Sequence, residues 1–425
     1  LVMRLNYKKI GNYVKTINNR NHDLQVQNLQ GINIYKEFMP SVANIIGVDL
    51  SKYKLVTKYQ FAFNPMHVGR DEMLPISIFM SDKPIIVSPA YTVFEIKDHQ
   101  CLDPEYFMMW CRRPEFDRNA WFTTDSSVRG GFNWDDFCEM ELPVPSITRQ
   151  REIFSKYNTV VENIKLNQEI NQKLEETAAA VYKSWFVDFE FPITSKYAQS
   201  ICKPELESRP YKSSGGKMIF CEELNQDIPK DWEKIDVGSF CKEMKNGATP
   251  KRDNPEYWNS EDIAWIKTGE ISNNVIWNAE EYISELGYEN SSTKILPENT
   301  VLMAMYGATA AKISYLKIKA TTNQACCAMV CGCSKKAAYL YYRLLNNQDE
   351  IKRSSIGGAQ ENLSKAIIEK LYIFYAEEDF PDLSILSNLL EKKALITKKI
   401  YKFKQLLSLL LSSMANEKCK GDLAE

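Results

Sequence analysis

Apolar residues recur at alternating steps of four and three along two long stretches of the chain, and we call these repeating positions the two seams. The first seam consists of Ile153, Tyr157, Val160, Ile164, Asn167, Asn171, Leu174, Ala178, Val181 and Trp185. The second seam consists of Leu386, Leu389, Lys393, Ile396, Ile400, Phe403, Leu407, Leu410 and Met414. This heptad alternation predicts two long amphipathic helices that pair along their apolar stripes.

One constant offset relates the two seams. The differences 386 − 157 and 393 − 164 both equal 229, and the same offset carries Asn133 to Asn362. In addition, Gly11 in LNYKKIGNY corresponds to Gly238 in WEKIDVGSF. What repeats is therefore a globular stretch followed by a long helix, and we predict one module that occurs twice.

Three polar residues interrupt the seams, Asn167 and Asn171 in the first and Lys393 in the second. A polar residue at such a position costs stability and fixes the register of the pairing. We expect the two helices to pair with each other. The same stripe also suits a helix that packs only on its own domain, so this alternative stays open.

Outside the helices, short β-rich runs alternate with helical segments and with Pro, Gly and Asn, which is typical of α+β domains. The predicted fold is two mixed α/β domains separated by two long antiparallel coiled-coil helices, in a pseudo-twofold repeat. The predicted boundaries are 1–145 for the first domain, 146–190 for the first helix, 191–230 for a linker, 231–375 for the second domain and 376–425 for the second helix and a tail.

Composition narrows the class of protein. The chain has 425 residues, of which 44% are hydrophobic and 25% charged, so it can bury more than one core. Eleven cysteines at scattered spacings favour reduced thiols in a cytoplasm. No apolar run is long enough to span a bilayer, and no secretory signal is visible. The histidines His22, His67 and His99 lack metal-ligand spacing, so no metal site is predicted.

The charge distribution does not decide whether the chain binds nucleic acid. The net charge of −2 argues against a basic DNA-binding surface over the whole chain. Between residues 290 and 348, however, the sequence contains seven basic residues and a single acidic residue, Glu298. On charge alone, an ordinary solvated surface explains this stretch equally well.

Several motifs in both domains resemble those of one family. In the second domain they are NGATP (246–250), EYW (256–258), AWIKTGEI (264–271), SSTKILPENTVLMAMYGAT (291–309), TTNQACCA (321–328) and GGAQENLS (357–364). In the first domain they are FNPMHVGRDE, SPAYTVFEI, RRPEFDR and SVRGGFNWDDF. In this order, duplicated and followed each time by a long helix, they resemble the DNA-specificity subunit of type I restriction-modification systems.

The resemblance implies a non-catalytic subunit with two target-recognition domains, each reading half of a split sequence in double-stranded DNA. It implies two copies of a modification (methyltransferase) subunit docked on the helices, and two restriction subunits bound through them. S-adenosylmethionine and ATP are expected on those partners and no cofactor on this chain. The first seam covers 33 residues (185 − 153 + 1), roughly 50 Å at ~1.5 Å each, which corresponds to no more than ~15 unread base pairs.

Two other functions remain as alternatives. An adenine methyltransferase is suggested by FNPM (63–66), but Met66 and His67 replace the proline and the aromatic that such chemistry needs to hold a flipped base. No glycine-rich nucleotide loop accompanies it. A stand-alone DNA-binding protein is the second alternative, and co-purification of a methyltransferase would distinguish it.

The candidate DNA-contacting residues lie in predicted loops that combine hydrogen-bond donors with small neighbours. Arg can pair with guanine and Gln with adenine in the major groove, whereas Lys more often neutralises phosphate. In the first domain the candidates are Arg20, His67, Arg70 and Arg129. In the second they are Lys245, Thr249, Lys251, Arg252, Lys267, Lys312, Gln324 and Gln360.

Overall fold

The computed structural model describes residues 7–41, 47–66, 68–124, 131–222, 225–354, 362–377 and 380–414. The chain divides into two compact units. Unit 1 comprises Leu1–Asn163 and Phe403–Glu425, and unit 2 comprises Ile164–Lys402. Both long helices therefore begin in one unit and end in the other.

The described part of unit 1 contains ten short strands and the first five α-helices. The strands are β1 (Tyr7–Lys9), β2 (Val14–Ile17), β3 (Gln30–Ile32), β4 (Phe38–Pro40), β5 (Lys54–Val56), β6 (Phe61–Phe63), β7 (Ile76–Ile78), β8 (Ile85–Val87), β9 (Thr92–Ile96) and β10 (Glu141–Pro143). The helices are α1 (Val68–Asp71), α2 (Pro104–Cys111), α3 (Pro114–Phe122), α4 (Trp134–Glu139) and the long α5 (Ile147–Phe186), which continues into unit 2.

The main sheet of unit 1 has the antiparallel order β2-β9-β6-β7. Its strand β6 is buried on both faces. Helices cover the face of Phe61 and Phe63 with aromatic side chains, whereas Ala62 on the other face packs with residues of β5 and β8. Phe61 stacks on Phe94 with ring centroids 5.0 Å apart, and Phe107 of α2 and Phe137 of α4 pack on the same cluster. This aromatic core fixes the strand ends from which the loops emerge.

Unit 1 closes where its first strand meets its last. Strand β1 pairs antiparallel with β10, and the Ile10 N–H donates to the Met140 carbonyl at 2.8 Å. Gly11 lies so close to α4 that a Cβ there would be 2.8 Å from the Cβ of Cys138. Strand β10 then leads directly into α5, so the closure connects the domain to its helix.

Unit 2 contains the remaining elements. The helices are α6 (Ser195–Ser200), α7 (Val237–Phe240), α8 (Glu285–Glu289), α9 (Ser334–Asn346), α10 (Gln348–Arg353), α11 (Lys365–Glu369) and α12 (Ser384–Met414). The strands are β11 (Met218–Cys221), β12 (Gln226–Pro229), β13 (Glu233–Asp236), β14 (Glu243–Asn246), β15 (Ile263–Ile266), β16 (Val275–Ile276), β17 (Glu281–Ile283), β18 (Thr300–Ala304), β19 (Ile313–Leu316), β20 (Thr321–Thr322), β21 (Cys326–Val330) and β22 (Tyr372–Tyr375).

The main sheet of unit 2 has the order β14-β21-β18-β19-β16, so its first four strands repeat the order of unit 1. Strands β2 and β14 are related by the offset of the sequence repeat, since 243 − 14 equals 229. Closure repeats as well, because β13 pairs with β22 and the Val237 N–H donates to the Leu371 carbonyl at 2.7 Å. The predicted α+β fold with a duplicated module is confirmed.

The stretch 191–230, predicted from the sequence to be a linker, holds ordered elements on the core of unit 2. It contains α6 and the hairpin β11-β12. The ring of Phe191 stacks between Tyr211 and Trp232, with centroid distances of 4.6 and 4.9 Å. These aromatics are separated by polar residues in the sequence and do not recur at the spacing of a helix or a strand. No hydrophobic pattern therefore predicts their burial.

The long helices pair as the seams predict. Every described side chain at a seam position is buried or half-buried. In unit 2, Asn171 donates to the Thr397 hydroxyl at 3.0 Å and Lys393 donates to Glu175 at 2.5 Å. Four residues forward on α5 thus correspond to four residues backward on α12, an antiparallel pairing. In unit 1, Tyr157 lies in one apolar core with Leu407 and Leu411.

Neither long helix nor any other helix in the described part of the chain has the length and apolarity needed to cross a membrane.

Candidate DNA interface

Four loops of unit 2 emerge at one end of its sheets, and we call them the unit 2 loop cluster. The strand register places them there, because Asn246 at the end of β14 and Ala304 at the end of β18 face the start of β21 at Cys327 and Cys326. The loops are 247–252, 267–270, 305–312 and 322–325. They overlap four of the six unit 2 motifs that carry the family resemblance.

Two of these loops are locked together by main-chain contact. A Cβ at Gly247 would lie 1.9 Å from the Thr322 carbonyl oxygen, so only glycine fits this approach. The Ala248 N–H donates to the same oxygen at 2.9 Å, and the Ala248 carbonyl accepts from the indole of Trp265 at 3.0 Å. The NGATP and TTNQA motifs therefore form one rigid surface.

Thr249 and Gln324, both predicted from the sequence, meet on this surface. The Thr249 hydroxyl donates to Oε1 of Gln324 at 2.6 Å. Gln324 is exposed at the tip of a turn that the Cys326 N–H closes on the Asn323 carbonyl. An exposed amide held in place by a neighbouring side chain is suited to base recognition by paired hydrogen bonds.

Arg252 and Lys267 are bound within the domain. The Arg252 guanidinium lies 3.7 Å from the ring centroid of Trp258 and forms an ion pair with Glu281. Lys267 forms ion pairs of 3.0 and 2.9 Å with Glu280 and Glu281. Hydrogen bonds to these carboxylates raise the pKa of Lys267. The two cations thus fix the shape of the loops.

The pKa of Glu281 reflects the same ion pairs. Partial burial alone would raise this pKa, but hydrogen bonds from Lys267 and Arg252 outweigh burial and hold it below its ordinary value. Glu281 is therefore the anionic centre that joins the loop at Arg252 to the loop at Lys267.

The other predicted cations of unit 2 differ in how far they are engaged. Lys245 forms an ion pair of 2.8 Å with Glu243 on the same strand. For Lys251 and Lys312, no side-chain hydrogen bond or ion pair is found among the described residues, and Lys251 is exposed. Such uncommitted lysines suit contact with phosphate. Gln360 lies outside the described residues.

Several of the basic residues between 290 and 348 form hydrogen bonds and ion pairs within unit 2. Lys317 is 8% exposed and donates to Glu391 of α12 and to Asn299, at 2.9 and 2.8 Å. Lys335 pairs with Asp382, and Arg343 donates to the Tyr372 carbonyl. Local charge therefore overstates the number of cations available to a ligand.

The end of the sheet away from the unit 2 loop cluster attaches to α12. Trp277 follows β16 there and donates its indole N–H to the Ala394 carbonyl at 2.6 Å. Lys393 is 5% exposed and lies 5.8 Å from the ring centroid of Tyr341. Sequence reasoning missed Trp277, Lys317 and Tyr341 as contacts, because their partners on α12 are remote in the chain.

Unit 1 also gathers its loops at one end of its sheet. Strand ends Ile17 of β2 and Phe63 of β6 face Val93 and Thr92 at the start of β9. In the loop after β2, Arg20 donates to the Lys52 carbonyl at 3.0 Å and is half-buried.

The remaining candidates of unit 1 are only partly described. Arg70 belongs to the short helix α1, of which the main chain is described at that position. His67 and Arg129 lie outside the described residues. None of the twelve predicted DNA contacts is tested by the geometry, and they stay predictions.

The FNPM motif forms the loop after β6. Its Asn64 uses the side-chain oxygen to accept from the Met66 N–H at 3.0 Å, and the Pro65 carbonyl accepts from the Phe132 N–H at 3.0 Å. In unit 2 the corresponding loop comes after β18, where the Met305 carbonyl accepts from the Leu363 N–H at 2.8 Å. The motif thus occupies a position that belongs to the common frame of both domains.

No set of three or more His, Cys, Asp or Glu side chains in the described parts of the chain could hold a metal ion. Cys326 and Cys327 lie in the buried strand β21. Burial raises the pKa of Cys327 to about 12, so its thiol is neutral and inert.

Comparison with known proteins places this architecture in a family. The family model described as "Type I restriction modification DNA specificity domain" matches residues 57–176 and 229–405, together more than half of the chain. The two matched ranges end 229 residues apart (405 − 176), which is the offset of the repeat.

Individual relatives are similar over different extents. The chain is 25% identical over 241 residues to the type I restriction enzyme MjaIX specificity subunit of Methanocaldococcus jannaschii, an alignment that spans only half of that protein. It is 23% identical over 375 residues to the HindI specificity subunit of Haemophilus influenzae, covering 78% of this chain and 80% of that one.

A solved structure shares the fold. The S subunit of the type I restriction-modification system from M. genitalium aligns with a TM-score of 0.54 at 14% identity, over 96% of this chain and 94% of that one. The match of the family model to both halves of the repeat confirms the resemblance predicted from the sequence. The chain belongs to the family of type I restriction modification DNA specificity domains.

Proposed function

We propose that this chain is the DNA-reading subunit of a type I restriction-modification assembly, in which each α+β domain recognises one half of a split target in double-stranded DNA. One observation carries the proposal. Two domains with the same strand order, β2-β9-β6-β7 and β14-β21-β18-β19, present loops of unrelated sequence at the corresponding end of their sheets. Equal frames with unlike loops suit the recognition of two unlike base sequences.

The organisation of unit 2 supports this role. Its loop cluster offers uncommitted Lys251 and Lys312 together with the oriented amide of Gln324, which are groups suited to phosphate and to base edges. Its other end is attached to α12 through Trp277 and Lys317. The two long helices are the proposed docking elements for two modification subunits and, through these, for two restriction subunits.

Chemistry is assigned to the partners. In unit 1 the side-chain oxygen of Asn64 accepts from the Met66 N–H, which makes the FNPM loop a structural turn. S-adenosylmethionine and ATP are proposed to bind the partner subunits. The free thiols of the described cysteines suit a cytoplasmic assembly. The spacing that the helices set between the half-sites stays a prediction.

An exchange of one domain tests the proposal. Residues 232–375 are replaced by the corresponding domain of a relative with a different target, and methylated adenines are mapped in cells that supply the partner subunits. We expect one half of the target to change while the other half and the spacer are retained. The reciprocal exchange of the first domain is the matched control. A swap that altered both halves, or a single continuous target, would contradict the modular function.

A further inference from the structure

We infer that Gln324, held in place by Thr249, reads an adenine in the half-site of the second domain. This inference rests on the proposed function and deepens it, because it assigns one base to one side chain. It is carried by the contacts that hold the two residues in the unit 2 loop cluster.

Gln324 is presented by a tight turn. The Cys326 N–H donates to the Asn323 carbonyl at 3.3 Å, and the Asn323 side-chain oxygen accepts from the Ala325 N–H at 3.2 Å. The turn is tied to β15, because the Asn323 N–H donates to the Ile266 carbonyl at 3.1 Å. The main chain at Gln324 is therefore fixed on both sides while its side chain is exposed.

Thr249 is equally fixed. Ala248, the residue before it, donates its N–H to the Thr322 carbonyl and accepts from the Trp265 indole. Pro250, the residue after it, is buried. The Thr249 hydroxyl is thus placed where it donates to Oε1 of Gln324 at 2.6 Å. In this contact Oε1 faces the Thr249 hydroxyl, which leaves Nε2 for a ligand.

The orientation in which Oε1 faces Thr249 matches adenine. An amide oxygen has two lone pairs, so Oε1 can accept from Thr249 and from a second donor, while both Nε2 hydrogens stay available. Adenine presents an N6 donor beside an N7 acceptor in the major groove, and Gln pairs with both atoms at once. Thr249 restrains the position of the amide in the loop, and this restraint reduces the freedom that Gln324 loses on binding.

The neighbouring cations are engaged within the domain, so we expect the Gln324 amide to make the base contact. Arg252 is engaged by Trp258 and Glu281, and Lys267 by two carboxylates. A guanine-reading arginine needs a free guanidinium edge, which these ion pairs restrict. We therefore expect Arg252 to act as a positioning residue for the loop.

The experiment selects bound sequences from a pool of duplexes randomised over the second half-site, using the chain in complex with its modification subunits. Gln324→Ala should relax the preference for adenine at one position by about ten- to a hundredfold, the value of one paired contact. Thr249→Val should relax the same position by a smaller factor. Gln324→Glu should shift that position toward cytosine, whose N4 amino group requires an acceptor.

A matched control is Gln226→Glu, which makes the same charge change in the β11-β12 hairpin and should leave the consensus unchanged. An unchanged consensus in Gln324→Ala would overturn the inference. So would a relaxed position that is not adenine, or a loss of preference over the whole half-site. Failure of the wild-type complex to select any split sequence would instead overturn the proposed function.

Discussion

The two domains contain the same four strands in the same order, but one connecting segment differs between them. This segment lies between β2 and β6 in unit 1 and between β14 and β18 in unit 2. Unit 1 places β3, β4 and β5 there, and these pair in two-stranded ladders. Unit 2 places a three-stranded sheet, β17-β15-β20, partly in the same segment. The Trp265 indole of this sheet holds the NGATP loop. The frame is thus kept while the insertion that shapes the loops is exchanged.

The domains also attach to the long helices by different chemistry. Unit 1 uses a fully buried amide near the start of α5, where Gln150 makes three hydrogen bonds. Unit 2 uses the Trp277 indole and the Lys317 ion pair with Glu391 in the middle of α12. A buried neutral network is intolerant of partial loss, whereas a part-exposed ion pair is screened by solvent. Attachment should therefore be more fragile in unit 1.

The largest expected effect comes from Gln150→Leu. Gln150 accepts from the Asp103 N–H at 2.8 Å and donates to the Cys101 and Pro145 carbonyls at 3.0 and 2.8 Å. Leucine would leave these main-chain groups without partners, at a cost of about 3 kcal/mol in the free energy of unfolding. Urea unfolding of the chain measures this cost.

Gln168→Leu on the exposed side of the same helix is the matched control and should change stability little. A loss below about 0.5 kcal/mol for Gln150→Leu would show that the amide is dispensable for unit 1.

A smaller effect compares the two corresponding glycines. A Cβ at Gly11 would lie 2.8 Å from the Cβ of Cys138, whereas a Cβ at Gly238 would be 3.4 Å from its nearest neighbours on Glu369. Gly11→Ala should therefore destabilise by about 1–3 kcal/mol through overpacking. Gly238→Ala, which meets ordinary contact distances, should be close to neutral.

Thermal unfolding of the two variants side by side gives the comparison. Equal losses at both positions would mean that the closures of the two domains are equally tight, contrary to the distances.

Regular spacing made part of the structure predictable from the sequence. The heptad positions predicted α5 and α12, and the 229-residue offset predicted the duplication. The order of the motifs predicted the family. Each of these signals is local or strictly periodic, so it can be read without knowledge of contacts between remote residues.

The features that could not be predicted depend on contacts between remote residues. The two domains share a strand order although their sequences are almost unrelated, because many different apolar residues can form the same buried strand. The aromatic packing of Phe191 on Trp232 and the bond from Trp277 to Ala394 join residues without periodic relation. Among the predicted DNA contacts, the ion pairs of Arg252 and Lys267 with Glu281 could not be predicted for the same reason.

The smallest expected effect is a loss of stability at low pH. It should differ between the two domains because the contacts of their loops differ in chemistry. The Glu281 carboxylate holds Arg252 and Lys267 in unit 2, whereas Arg20 in unit 1 is bound to the Lys52 carbonyl, which does not titrate. The folded pKa of Glu281 lies below its ordinary value of 4.5. Its contribution to stability is therefore present above pH 4.5 and is lost as pH falls through the folded pKa.

Because these ion pairs are partly exposed, the loss should stay below about 1 kcal/mol. Urea midpoints measured between pH 6 and pH 3 should fall more steeply for the wild-type chain than for Glu281→Gln, which cannot gain a proton there. The variant should already be less stable at pH 6 and converge with the wild type in acid. Arg20→Ala in unit 1 should leave the steepness of the wild-type profile unchanged. Parallel profiles for the wild type and Glu281→Gln would show that the carboxylate does not hold the unit 2 loop cluster.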